Sequence, residues 1–118
     1  MKRVLLTLVL TSFLAGCGTI LSTETSWRFV MAPKVELITK DEALYIRVKG
    51  HLLSSSCAVR QTSYTQISDT EVWVHVREGV VTNRNQSGSF DIHVPISELT
   101  ERIYFGKEKT VIWSKNEN

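Results

Sequence analysis

At 118 residues the chain has room for one domain around one core, and its 42% hydrophobic and 22% charged residues exclude an intrinsically disordered polymer. The formal charge of +2 comes from Lys2 and Arg3 alone, and the remaining acidic and basic side chains cancel. Past those two no basic residues are adjacent, so the concentrated positive patch that nucleic acid requires is missing and no nucleic-acid partner is expected.

Met1-Lys2-Arg3 supplies a positive end, and Val4 to Leu14 is an apolar run interrupted only by Thr7, Thr11 and Ser12. That is the layout of a signal peptide. The run is close to half of the roughly 20 residues that a helix needs to cross a bilayer, which disfavours a permanent span. It ends in Leu14-Ala15-Gly16-Cys17: a leucine, two small residues that let a peptidase approach the backbone, and a cysteine. This ending resembles the lipobox of bacterial lipoproteins, a resemblance that covers residues 1–17 without departure.

The resemblance implies cleavage before Cys17, a diacylglycerol on its sulfur, and acylation of the freed amine, with palmitate a chain of the expected kind. Each buried methylene adds about 0.8 kcal/mol of membrane affinity, and two chains hold stably where one is marginal, so Cys17 alone suffices as an anchor to membrane lipid. Residue 18 is glycine, where an aspartate tends to retain Gram-negative family members at the inner membrane. The expected address is therefore the periplasmic face of the outer membrane, or the single cell membrane of a Gram-positive organism. The expected organisation is a signal peptide over residues 1–16, a lipidated tether over 17–26 and a folded domain over 27–118.

Gly18 to Ser26 carries no sustained period and reads as tether. From Trp27 onward apolar and polar residues alternate in short blocks, the mark of half-buried strands. Leu44, Ile46 and Val48 oppose Tyr45, Arg47 and Lys49; Val72, Val74 and Val76 oppose Trp73, His75 and Arg77; Phe90, Ile92, Val94 and Ile96 oppose Asp91, His93 and Pro95. Weaker strand candidates are Trp27 to Met31, Val35 to Thr39, Ala58 to Ile67, Arg102 to Phe105 and Thr110 to Ser114. Polar breakers separate these blocks. Thr39 and Glu42 have capping-box spacing, but the period-two pattern that follows predicts a turn rather than a helix. Short, evenly spaced strands without helical crossovers predict a small antiparallel β-sandwich, immunoglobulin-like, of about seven strands.

The two strongest runs, Val72 to Arg77 and Phe90 to Ile96, are expected to form an antiparallel hairpin. Keeping apolar residues on one face sets Val74 against Val94, Arg77 against Asp91 and His75 against His93. Slips of two residues would put His75 opposite Asp91, or Arg77 opposite His93. Paired imidazoles there could share a divalent ion.

Catalytic signatures do not emerge. No zinc spacing, phosphate loop, nucleophile elbow or clustered carboxylate pair is present, so the expectation is a non-enzyme with no cofactor and no metal. Once Cys17 is lipidated, Cys57 has no intramolecular partner and reads as a buried, inert thiol, with an intermolecular disulfide and a catalytic nucleophile as the lesser alternatives. Trp27 and Trp113 read as core. Trp73 stands in the opposite phase to its valine neighbours, and with His75 and Arg77 it forms a candidate partner surface; the bland alternative is that the tether or a loop covers this face. The expected function is a membrane-anchored interaction module with an envelope protein partner. Alternatives are a lipid-tethered enzyme or metal-handling protein using Cys57, His75 and His93, and a periplasmic inhibitor or immunity protein.

Overall fold

A computed structural model describes residues 23–54, 56–82 and 85–117; Cys17 and the expected signal peptide lie outside the described residues. Eight strands follow one another: β1 (Thr23–Glu24), β2 (Val30–Lys40), β3 (Ala43–Leu52), β4 (Cys57–Gln66), β5 (Glu71–Val80), β6 (Ser89–Pro95), β7 (Arg102–Phe105) and β8 (Thr110–Ser114). Single 3₁₀ turns occupy Trp27–Phe29 and Lys115–Glu117.

These strands build two sheets. The first has the order β2-β3-β6 and is antiparallel throughout. The second is organised on β5. β4 runs antiparallel along one edge of β5, while β1 and β7 divide the other edge, β1 antiparallel at Arg77 and Glu78 and β7 parallel at Glu71 to Val74. β8 lies beyond β7. Among the described residues the β5–β7 pair is the one departure from antiparallel order.

The alternation of the sequence becomes the two faces of each sheet. Ile46, Val48, Phe90, Ile92 and Val94 of the first sheet meet Val72, Val74, Val76, Ile103 and Phe105 of the second in one buried cluster. The rings of Phe90 and Phe105 stack across the layers at 5.8 Å, and Trp27 packs on Phe105 at 4.8 Å. Each such side chain contributes about 1.5–3 kcal/mol relative to exposure. The protein is a small all-β sandwich. Leu37 and Leu44 share the inward face but are 56% and 46% exposed, since the β2–β3 hairpin extends beyond the covering sheet.

Besides that parallel pair, the N-terminal segment and the pairing of β6 differ from the expectation. Thr23 to Ser26, read as tether, belongs to the fold: the Thr25 amide donates to the Val76 carbonyl, the hydroxyls of Thr25 and Ser26 donate to Glu78 and Glu108, and both residues are buried. Gly106 (φ 78°) accommodates this crossing, because a Cβ there would collide with the Thr25 carbonyl oxygen.

The expected β5–β6 hairpin does not form. β6 pairs with β3, placing Arg47 opposite His93 and Lys49 opposite Asp91, and the connection after Val80 carries the chain from one sheet to the other. The valines of β5 do meet Phe90, Ile92 and Val94, but across the core rather than along a ladder. Parity of side chains fixes which face is apolar; it does not distinguish a neighbour in the sheet from a neighbour in the opposite layer.

Candidate functional site

His75 and His93 therefore stand on the outer faces of opposite sheets, which removes the geometric basis for a shared ion. Cys57 joins neither. It is 4% exposed and disulfide-bonded, which corrects the reading of a lone thiol. The trio of Cys57, His75 and His93 is thus not assembled into a site.

The outer face of the second sheet carries Trp73, His75 and Arg77 at alternate positions of β5, each partly buried. Trp73 donates its indole N–H to the Gly106 carbonyl at 2.7 Å, and the Lys109 ammonium lies 4.6 Å from the ring centroid, a cation–π contact. The Trp73 and His75 rings are 4.5 Å apart. His75 lies between Glu24 Oε2, 3.0 Å from Nδ1, and Thr65 Oγ1, 2.9 Å from Nε2. With Glu24 ionised, Nδ1–H donates to the carboxylate, and a neutral ring then accepts the Thr65 proton at Nε2. Arg77 faces Glu24 across the β1–β5 ladder.

This hydroxyl–imidazole–carboxylate chain has the connectivity of a nucleophilic triad. Activation of a hydroxyl also needs a cleft and donors aimed at a developing oxyanion, whereas Thr65 is exposed near the Gln66 end of the β4–β5 ladder, on an open sheet face. The cluster instead fastens β1 and the 106–109 turn to β5. Both covers that the sequence reading held as its bland alternative are present, and a half-buried Trp73 remains at their margin.

A second cluster, not singled out by the sequence reading, occupies the outer face of the first sheet. Its rows run straight across three strands: Lys34, Lys49 and Asp91 in one; Glu36, Arg47 and His93 in the next. Arg47 clamps Asp91 diagonally, Nε to Oδ1 at 2.9 Å and Nη2 to Oδ2 at 2.6 Å, and reaches Glu36 at 3.5 Å. This fork raises the Arg47 pKa and, as the largest influence, holds the Asp91 carboxyl below its ordinary value. His93 Nε2 approaches Asp91 at 3.5 Å, and Lys34 approaches Glu36 at 3.7 Å.

Beside these rows a cleft of about 520 Å³ opens between Ala32, Lys34, Lys49, His51, Ser89 and Asp91. Its cause is a bulge in β2, where the register breaks between Met31 and Lys34 and Ala32 adopts a left-handed φ of 49° ahead of Pro33. The alternation in the sequence signalled Arg47, Lys49, Asp91 and His93 as outward-facing, but only the β3–β6 register brings them together.

No family model, curated protein or solved structure matches this chain. Among the described residues no helix is long and apolar enough to cross a membrane.

Proposed function

We propose that the chain is a membrane-anchored envelope lipoprotein whose β-sandwich serves as a non-enzymatic interaction module. The observation that carries this reading is the ordered sequence Lys2-Arg3, Val4 to Leu14, and Leu14-Ala15-Gly16-Cys17. Cys17 would hold the protein at the periplasmic face of the outer membrane by lipid, with an envelope protein as partner. The absence of catalytic motifs in the sequence and the flat setting of the Thr65–His75–Glu24 chain support a binding role over catalysis.

The chain has two cysteines, Cys17 and Cys57. A sulfur bearing a lipid thioether has no valence left for a disulfide, so within one molecule the disulfide at Cys57 and a lipid on Cys17 exclude one another, and the proposed lipidated form would carry Cys57 outside any intramolecular disulfide. The test is fractionation combined with intact mass. Cys17→Ser should move the protein out of the membrane fraction and abolish the mass added by lipid, whereas Cys57→Ser should leave both unchanged. Membrane retention of the Cys17→Ser protein, or a Cys17–Cys57 disulfide in membrane-extracted protein, would overturn the lipoprotein reading.

A further inference from the structure

Lys34 and Lys49 are direct cross-strand neighbours on the solvent face of the first sheet. Like charges in that relation destabilise a sheet, and the usual remedy is an acidic residue in the same row. Asp91 occupies that position opposite Lys49, but its carboxylate is turned to the Arg47 fork, with both oxygens engaged. Among the described residues no carboxylate lies within ion-pair distance of Lys49. Lys34 has only Glu36, at 3.7 Å, and Glu36 also faces Arg47.

The two ammonium groups border the bulge-opened cleft, together with His51 and Ser89. His51 Nδ1 and Ser89 Oγ are 2.8 Å apart, which fixes the imidazole at the rim and leaves Nε2 as a second polar atom. A retained like-charge pair, a left-handed non-glycine residue that opens the sheet edge, and a concavity of ligand-pocket size break three local rules at one place. We propose that this cleft is a binding site for a phosphate group, whose negative oxygens would lie between Lys34 and Lys49 with His51 and Ser89 as hydrogen-bonding partners.

Two sources share that chemistry: a soluble phosphate ester and the headgroup of a membrane phospholipid. The cleft is at the end of the sandwich where β1 enters, since His51 and Ser89 are cross-strand neighbours beside Leu52, and Leu52 pairs with Val30. The phosphate site itself does not depend on the lipidation of Cys17.

The test uses the full chain, isotopically labelled, in nonionic detergent micelles, with amide shifts followed by NMR. Inorganic phosphate is one probe; phosphatidylglycerol doped into the micelles, against phosphatidylcholine, is the other. Saturable shifts at Lys49 to His51 and Ser89 to Asp91 are expected. Lys49→Gln and Lys34→Gln should each weaken binding about tenfold. Asp91→Asn should tighten it, and Lys107→Gln, outside the cleft, should leave it unchanged. Relief of the like-charge pair should leave the Tm of Lys49→Gln equal or higher, so that affinity falls while the fold does not. Saturation by phosphate alone assigns a soluble ester, and saturation by phosphatidylglycerol as well assigns the headgroup. The absence of a saturable shift with both probes, or an unchanged affinity in Lys49→Gln, would overturn the proposal.

Discussion

Asp91 is the residue on which the outer face of the first sheet turns. It has three basic neighbours, Arg47, His93 and Lys49, and gives its two oxygens to the first. The hydrogen bond from Arg47, helped by the charges of Arg47, His93 and Lys49 and opposed by desolvation, sets its pKa below 3.8. A carboxyl whose pKa is depressed in the folded state stabilises the fold at pH above the unfolded value, and loses that contribution as pH falls through the folded one. Asp91→Asn should therefore be less stable than the parent at pH 7, with the difference shrinking progressively below pH 3.8. The effect is small because the Asp91 side chain is 41% exposed and solvent screens the pair. Urea midpoints measured at neutral and acidic pH check it, and a difference that stays constant down to pH 2 would rule out the ion pair as its source.

At the scale of elements, the sequence made the strands and their faces legible, and for a physical reason: a buried valine or isoleucine every second residue has few explanations other than a half-buried strand. Ile46, Val48, Val72, Val74, Val76, Phe90, Ile92 and Val94 are all buried. The partner of each strand was not legible, since pairing β6 with β3 or with β5 gives its side chains the same inward face. Nor was the bulge. Met31-Ala32-Pro33-Lys34 interrupts the alternation, so one eleven-residue strand read as two separate pieces. Both clusters depend on information of this second kind: the Lys34–Lys49 row on the bulge register, and the His75 cluster on a strand, β1, of only two residues.

The β2–β3 hairpin carries a cost that the sequence does conceal. Lys40 pairs with Ala43, leaving Asp41 and Glu42 as a two-residue loop with φ of 53° and 66°. Positive φ at both positions is the type I′ geometry, which asparagine and glycine fill with least strain. Glu42→Gly should raise stability by about 1 kcal/mol, because a left-handed side-chain residue costs about that much relative to glycine. Thermal and urea unfolding measure it, and a destabilised variant would mean that the turn is held by contacts of the Glu42 side chain.

For the molecule as a whole, the position of β1 decides how a lipid anchor would orient the sandwich. Only residues 18–22 separate Cys17 from Thr23, a reach of at most about 20 Å. β1 runs antiparallel to β5, with Thr23 opposite Glu78 and Glu24 opposite Arg77, so the N-terminal end of β1 points toward the Val80 end of β5. At that end Cys57 pairs with Val80, and the Leu52 amide bonds to the Gly88 carbonyl. The opposite end carries Ser68 to Thr70 and lies about 30 Å away along the ten residues of β5. A chain tethered at Cys17 thus holds the Val80 end, with the lysine cleft on its flank, next to the bilayer and points the other end outward. If Cys17 carries the proposed lipid, reconstitution of the lipidated protein into vesicles containing a paramagnetic headgroup lipid should broaden the amides of Gly79, Val80, Leu53 and Gly88 strongly, and those of Asp69 and Thr70 little. Equal broadening at the two ends would show that the sandwich tumbles freely on its tether, and a reversed gradient would show that the domain is anchored from its other end.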